Sequence, residues 1–253
     1  MKISFKLVSI FILLNTMFSI IFTTPILAFT QTIDIKVANP NKKQKIIDFP
    51  SKDFISQAEQ WGNRLYRKWS KTITEQEKKE IGYYAGVGYR EINTYLRIHK
   101  GELSGENPNI EKKVAYLDHA FHHARLKDSI VVYRRVTEAA FGLSPNTLLN
   151  EMGQINFDTL QTFRKNYKGK MNKDAAYMST SIIKDPVTEF SELPILLRIV
   201  LPKGVQAAYI APLSPTPEEL ELLLPRGTVY KITNITPIIQ KERQYVLVDA
   251  IVE

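Results

Sequence analysis

Three short polar motifs stand beside apolar stretches in the second half of the chain. They are an arginine pair, a hydroxyl triplet and a pair of glutamates: Tyr133-Arg134-Arg135, Ser179-Thr180-Ser181 and Glu219-Leu220-Glu221. Guanidinium groups bind phosphate oxygens through paired hydrogen bonds, and carboxylates stabilise a nearby positive charge. Each motif alone also fits an ordinary surface role, such as a strand meeting solvent, a polar strand edge or a charged strand face. Their repetition in this order, each time against an apolar strand, favours one shared site.

The first half of the chain has a helical pattern. Apolar residues recur at three- and four-residue steps between Phe54 and Trp69, which predicts one amphipathic helix. Thr74 followed by Glu77 forms a capping box, which predicts a second helix that is broken by two glycines, Gly86 and Gly88. Further helices are predicted over Tyr89–Ile98, over Ile110–Leu126, after Ser144 and over Phe157–Tyr167.

The second half changes to short apolar runs separated by turn residues, which is typical of strands. The predicted strands are Ile130–Tyr133, Ala176–Thr180, Ile195–Leu201, Val205–Ile210, Leu220–Leu224, Thr228–Ile232 and Gln244–Val252. The late connections are too short for helical crossovers, so the sheet should be mixed or antiparallel. We therefore expect an α+β fold with an N-terminal helical half and a mixed or antiparallel sheet core.

Residues 1–28 differ from the rest of the chain. Lys2 and Lys6 precede a long apolar stretch, and a small residue suitable for cleavage follows it. This pattern is typical of a secretory signal peptide, although the stretch is nearly long enough to be a membrane anchor. We expect residues 29–50 to form a linker or a leading strand, and residues 51–253 to form one folded domain.

Composition excludes several classes of site and partner. The chain of 253 residues has no cysteine, which rules out a disulfide framework. Its net charge is +8, but the basic residues are spread along the chain, so no nucleic-acid partner is expected. His119 and His123 lie four residues apart on a predicted helix without a third ligand, so no metal site is expected. Neither a phosphate-binding glycine loop nor a nucleophile elbow is present.

The three motifs and the sequence around them resemble a known family. The resemblance includes the stretches Trp61-Gly62, Ile92-Asn93-Thr94-Tyr95-Leu96-Arg97 and Leu222-Leu223-Leu224-Pro225-Arg226-Gly227. In their order and spacing, the motifs resemble the catalytic domain of the clostridial and bacillary ADP-ribosyltransferase toxins, over Phe54 to Val252. This resemblance implies that 51–253 is an ADP-ribosyltransferase-like catalytic domain, that NAD is its co-substrate without a metal, and that the protein is secreted and acts in the host cytosol.

The resemblance also implies a role for each motif. Arg134 would hold NAD phosphate, and Arg135 would make a secondary contact. Ser179 would position Glu221, whose carboxylate would bond the 2′-hydroxyl of the nicotinamide ribose and stabilise the positive charge that grows as nicotinamide leaves. Glu219 would face the acceptor and help to deprotonate or orient it.

Residues outside the motifs would complete the NAD cleft. The resemblance implies that Asn93, together with Tyr83 or Tyr84, lines the cleft from the helical half. Phe190 would line it beyond the hydroxyl triplet, in the position of the family's Phe-x-x-Arg pattern.

The chain departs from the family pattern in three places. Leu193 replaces the arginine of Phe-x-x-Arg, which would weaken NAD binding by about 1.5–3 kcal/mol, and nearby Arg198 lies on a predicted strand. The loop Pro212 to Glu218 has three prolines and lacks the aromatic residue that usually touches the target protein. Ala139 and Ala140 follow the arginine pair where related toxins often have polar residues.

Within the family, the residue at position 219 indicates the acceptor. Members with glutamate there modify arginine, whereas members that modify asparagine on Rho-type GTPases carry glutamine. Glu219 therefore favours a host arginine, with actin as the favoured target protein. The size instead matches the Rho-modifying exoenzymes, because actin-modifying binary toxins carry an extra domain that docks a separate translocation component.

Several alternatives remain open. A Rho-GTPase-modifying exoenzyme, an NAD glycohydrolase that uses water as the acceptor, and a non-catalytic binding protein each fit part of the pattern. We expect a monomer, and a separate translocation component is a further partner that the resemblance allows.

Overall fold

The computed structural model describes residues 45–187, 193–240 and 243–253. The predicted signal peptide, most of the predicted linker and Phe190 lie outside the described residues. The described chain begins with a two-residue strand, β1 (Ile46–Ile47), which pairs in parallel with the strand that ends in the arginine pair.

Helices fill the first half of the described chain, as predicted. They are α1 (Ile55–Trp69), α2 (Glu75–Tyr83), α3 (Tyr89–Ile98) and α4 (Pro108–Phe121), with α5 (Phe157–Tyr167) further along. The capping box is confirmed, because the Glu77 amide donates to Thr74 Oγ1 (3.2 Å) and Glu77 Oε2 accepts from the Thr74 amide (2.6 Å). The helix predicted after Ser144 is wrong, because the amides of Leu148 and Leu149 donate to the buried Glu138 carboxylate instead of to helical carbonyls.

The two glycines that were expected to break α2 do not break it. Residues Tyr84–Gly88 form a π-helix that joins α2 to α3 without a turn between them. Gly88 permits this path, since a Cβ there would lie 2.3 Å from the ring of Tyr83. A single π-helical turn inside an α-helix often marks a functional site, and this one faces the sheet.

The strands form one mixed sheet. They are β2 (Ser129–Val136), β3 (Met171–Lys173), β4 (Met178–Ser181), β5 (Ile195–Leu201), β6 (Ala208–Tyr209), β7 (Glu221–Leu224), β8 (Val229–Gln240) and β9 (Arg243–Val252). Their order across the sheet is β3-β8-β9-β5-β2-β4-β7-β6, with β1 beside β2. The β5–β9 and β1–β2 pairs are parallel and the others are antiparallel, so the expected mixed sheet and α+β fold are confirmed.

Some strand bounds differ from the prediction. Strand β8 runs to Gln240 instead of ending at Ile232, because it pairs with β9 over almost its whole length. Strand β6 has only two residues, and β3 was not predicted. Strand β7 begins at Glu221 instead of at Leu220, so the third motif spans the start of this strand.

Three apolar cores lie in the described part of the chain, a small one that includes Val131 of β2 and Leu196 of β5, and two larger ones. The larger core lies along the sheet and includes Trp61 of α1, Val132 of β2 and Leu222 of β7. The second core packs the helices, and it includes Trp69, whose indole N–H donates to the Ala120 carbonyl at 2.9 Å. Among the described helices, none is both long and apolar enough to span a membrane.

Candidate active site

A cleft of about 700 Å³ lies between the helical half and the sheet, within the usual size range of ligand pockets. Its walls come from the π-helix and α3, the ends of β2 and β4, and the loop before β7. The lining residues are Tyr84, Ala85, Gly86, Tyr89, Arg90, Asn93, Thr94, Arg97, Tyr133, Arg134, Arg135, Ser179, Thr180, Ser181, Asp185, Pro186, Leu196, Pro215, Thr216, Glu219 and Glu221. All three predicted motifs therefore open into one cavity.

Strand pairing brings the three motifs together. Strand β4 lies between β2 and β7, and Ser181 of the hydroxyl triplet is the Cα partner of Tyr133 on one side and of Glu221 on the other. Arg134 Nη1 donates to the Ser179 carbonyl at 2.7 Å, and the Ser179 hydroxyl bonds the Glu221 carboxylate. The arginine, the serine and the glutamate thus form one connected group.

Glu221 is the most deeply buried carboxylate of the cleft, with 6% of its surface exposed. Burial raises its pKa to about 7, and the charge of Glu219 adds to the increase, while the hydrogen bond from Ser179 and the charge of Arg134 lower it. A carboxyl group with such a pKa is about half ionised at neutral pH and fully ionised only at alkaline pH.

Glu219 reaches the same cleft from a different element. It is the last residue of a 3-10 helix, Pro217–Glu219, and the strand begins only at Glu221. Partial burial raises the pKa of Glu219, and the neighbouring Glu218 adds to the increase, while a hydrogen bond with Thr216 lowers it. The two glutamates are therefore not simply alternate residues of one strand face.

The helical wall decides between the two tyrosines named from the sequence. Tyr84 lines the cleft with only 1% of its surface exposed, and Asn93 Nδ2 donates to its hydroxyl at 2.9 Å. Tyr83 points elsewhere: its hydroxyl donates to Glu91 at 2.7 Å, and the Lys113 ammonium lies 3.9 Å from its ring centre. The structure thus brings Tyr84 and Asn93 to the cleft and leaves Tyr83 outside it.

Sequence reasoning missed three other residues of this wall. Arg90, Thr94 and Arg97 lie on α3 with Asn93, and all four line the cleft. Their spacing of three and four residues places them on one helical face, and this polar stripe could have been found from the sequence. The Arg97 guanidinium also lies 3.4 Å from the Asp174 carboxylate.

The Arg135 side chain is buried and forms an ion pair with Asp185. This side chain is 4% exposed, and Nε and Nη2 donate to the two carboxylate oxygens of Asp185 at 2.8 and 3.0 Å. Nη1 donates to the Leu193 carbonyl at 3.2 Å, and the guanidinium lies 4.3 Å from the ring centre of Tyr245. Arg135 borders the cleft, but all three of its guanidinium nitrogens are engaged by protein.

We expect Arg135→Gln and Asp185→Asn each to lower the free energy of unfolding by about 1–3 kcal/mol, because either change leaves a largely buried partner unsatisfied. The free energy of unfolding should fall by less in the double variant than the sum of the two single losses, since both substitutions remove the same interaction. Urea denaturation measures these values. Arg198→Gln is the control, because Arg198 forms a more exposed pair with Asp249 (2.7 Å); additive losses in the double variant would contradict the coupling.

The structure also locates the remaining sequence features. Arg198 donates to Asp249 and is not among the lining residues, so it does not stand in for the arginine that Leu193 replaces. His119 contacts Glu77 and stacks on His122. In the described ranges, no group of three or more His, Cys, Asp or Glu residues could hold a metal ion.

Comparison with known proteins places this geometry in a family. Residues 58–253 match the family model described as ADP-ribosyltransferase exoenzyme. A relative named mono-ADP-ribosyltransferase C3, from Clostridium botulinum D phage, is 34% identical over 182 residues, which cover 72% of this chain and 70% of the relative. The structure of Plx2a, an ADP-ribosyltransferase toxin from Paenibacillus larvae, is 38% identical with a TM-score of 0.75, covering 82% of this chain and 99% of that one. The structure of the C3 exoenzyme of Clostridium limosum is 27% identical with a TM-score of 0.74, covering 82% of this chain and 97% of that one.

Proposed function

Since the chain belongs to the ADP-ribosyltransferase exoenzyme family, we propose that it transfers ADP-ribose from NAD to a Rho-type small GTPase of a host cell. Family membership makes it a mono-ADP-ribosyltransferase of the toxin kind. The identity of the target protein is the part that we propose. A Rho-type GTPase takes the place of actin, which the sequence favoured as the target. Its support is the similarity to C3 exoenzymes over nearly the full length of the C. limosum structure, because the resemblance associates exoenzymes with Rho-type targets.

One observation carries the proposed chemistry: a buried glutamate, a serine and an arginine converge in a cleft that also holds a second glutamate. The cleft volume is suited to a dinucleotide-sized ligand. Arg134, with Arg90 and Arg97 on the opposite wall, supplies positive charge for the two phosphates of NAD. The α3 arginines thereby offset the loss of the family arginine at Leu193.

The reaction breaks the bond between C1′ of the nicotinamide ribose and the pyridinium nitrogen. Nicotinamide leaves as a neutral base with the bonding electron pair, and positive charge develops on the ribose. In this proposal the Glu221 carboxylate, hydrogen-bonded by Ser179, stabilises that charge and accepts a hydrogen bond from the ribose 2′-hydroxyl. An acceptor nitrogen then bonds to C1′ and gives up one proton.

The presence of Glu219 favours arginine as the side chain that accepts ADP-ribose. A guanidinium is protonated at neutral pH and a poor nucleophile until it loses a proton. The raised pKa of Glu219 makes its carboxylate a better proton acceptor than an exposed glutamate, and its position at the cleft allows it to receive the proton that the acceptor loses. An asparagine acceptor, as in family members with glutamine at this position, is the competing possibility.

The test uses labelled NAD with a purified Rho-type GTPase, with purified actin and with no protein acceptor. The GTPase should carry the label and actin should not, and tandem mass spectrometry should locate the label on an arginine. Glu221→Gln is the inactive variant, and Arg198→Gln is the active control because its ion pair lies away from the cleft.

Each other outcome contradicts a defined part of the proposal. Label on actin would overturn the target, and label on an asparagine would overturn the acceptor. Nicotinamide release with no labelled protein would favour the glycohydrolase. Absence of both signals would favour a non-catalytic binding protein.

A further inference from the structure

Leu220, between the two glutamates, has a backbone conformation that leucine rarely adopts. Its φ and ψ are 49° and 47°, in the left-handed region that glycine and asparagine favour. Only 2% of its surface is exposed. A conformation of this kind persists where the surrounding structure over-determines it, and it is concentrated at functional sites.

The surroundings of Leu220 fix both its side chain and its backbone. The side chain lies in the larger apolar core with Leu222 and Leu224 of β7. The Leu220 amide donates to the Pro217 carbonyl at 3.1 Å, and the Leu220 carbonyl accepts from the Ile182 amide at 3.2 Å. The residue is thus tied to the core, to the 3-10 helix before it and to the chain that follows β4.

The turn at Leu220 determines where the preceding glutamate lies. Glu221 is held by the pairing of β7 with β4, where its partner is Ser181. Glu219 has no strand pairing, and its backbone is held by the Ser181 hydroxyl, which donates to its carbonyl at 2.7 Å, and by its own amide, which donates to Thr216 at 3.1 Å. A different backbone angle at Leu220 would therefore displace Glu219 more than Glu221.

We propose that Leu220 is a positioning residue whose buried side chain anchors the left-handed turn and so keeps the Glu219 carboxylate beside Glu221 in the cleft. The inference rests on the proposed function, in which Glu221 serves the release of nicotinamide and Glu219 serves the acceptor. Loss of the anchor impairs transfer to protein more than it impairs nicotinamide release. The ratio of the two activities is the property that Leu220 controls.

The test compares four variants for protein labelling and for nicotinamide release without acceptor. Leu220→Ala removes the anchor and should lower transfer by about 10- to 100-fold, because an acceptor-side group is misplaced, while nicotinamide release changes by less than about threefold. Leu220→Gly accepts the left-handed angles freely but also lacks the anchor, so it should show the same split. Leu220→Met keeps the anchor and should retain both activities. Leu224→Ala is the matched control, since Leu224 is equally buried in the same core but lies at the far end of β7.

Hydrogen exchange provides a readout that does not depend on catalysis. Amides of residues 218–221 and of Ile182 should exchange faster in Leu220→Ala and Leu220→Gly, but not in Leu224→Ala. An unchanged ratio of transfer to release in Leu220→Ala would overturn the positioning role, and full transfer by Leu220→Gly would overturn the role of the side chain. Unchanged hydrogen exchange in Leu220→Ala would overturn the anchoring role of Leu220, whether or not the protein is active. Absence of nicotinamide release by the wild-type protein would count separately, against the proposed function.

Discussion

Glu221→Gln should slow both nicotinamide release and protein labelling by about 10²–10³-fold, the usual cost of removing one preorganised electrostatic group from a catalytic site. Glutamine keeps the shape of glutamate and can still bond to Ser179, but it carries no negative charge. The positive charge on the departing ribose would then face a neutral amide inside a buried site, where electrostatic interactions are strong. Single-turnover nicotinamide release and labelling of the target protein measure the two effects.

Glu219→Gln is the control for this prediction, because it removes a neighbouring carboxylate of the same cleft by the same change. It should abolish transfer to an arginine acceptor and leave nicotinamide release within about threefold of the wild-type rate. Equal losses of both activities in the two variants would contradict the division of roles. Nicotinamide release at the wild-type rate by Glu221→Gln would remove Glu221 from the chemistry altogether.

The convergence of the three motifs could be predicted because each one marks the same kind of position. Arg134, Ser179 and Glu221 stand at or beside the ends of strands that are adjacent in the sheet, and local patterns of apolar and polar residues suffice to find such ends. The helical half could be predicted equally well from the sequence, since the capping box at Thr74 depends only on neighbouring residues.

Features that depend on distant contacts could not be predicted in the same way. Gly88 was expected to break a helix, but the ring of Tyr83 against its Cα and the packing of the helical half allow a π-helix instead. The ion pair of Arg135 with Asp185 joins residues 50 positions apart, so nothing near Arg135 in the sequence indicates it. The left-handed angles of Leu220 follow from burial in a core that only the complete sheet forms.

The choice between Tyr83 and Tyr84 shows the same limit. Adjacent helical residues point about 100° apart, so two neighbouring tyrosines need not face the same surroundings. The sequence does not specify which one faces the cleft, because the π-helix that begins at Tyr84 changes the helical phase just at this point. The packing of Tyr84 against Tyr177, with ring centres 5.5 Å apart, settles the direction.

The rate of nicotinamide release should depend on pH with a midpoint near 7, well above the pH at which an exposed glutamate ionises. Burial raises the pKa of Glu221 to about 7, and only the ionised form stabilises positive charge on the ribose. Activity should therefore be low at pH 5.5 and rise through pH 7 to a plateau. If the catalytic group were an exposed glutamate, which ionises near pH 4, the rate of nicotinamide release would not change over this pH range.

Glu219→Gln provides the control for the pH dependence. The charge of Glu219 is one cause of the raised pKa of Glu221, so its removal should move the midpoint of nicotinamide release to lower pH. Arg134→Gln should move the midpoint to higher pH, because the Arg134 charge lowers the Glu221 pKa. Identical midpoints in the three proteins would contradict the assignment of the titration to Glu221.

The same pKa makes a prediction about stability that needs no substrate. A carboxyl group whose pKa is higher in the folded chain than in the unfolded chain lowers the stability progressively as the pH rises from the unfolded value to the folded value. The full cost is present above the folded value, and there is no cost when both states are protonated. Ionised Glu221 should cost about 3 kcal/mol of stability at pH 8, and this cost should vanish below pH 4. Urea denaturation should therefore find Glu221→Gln more stable than wild type at pH 8 and equal to it at low pH. A gain at alkaline pH together with lost activity would show that the protein retains a destabilising charge for its chemistry, whereas equal stabilities at pH 8 would contradict the raised pKa.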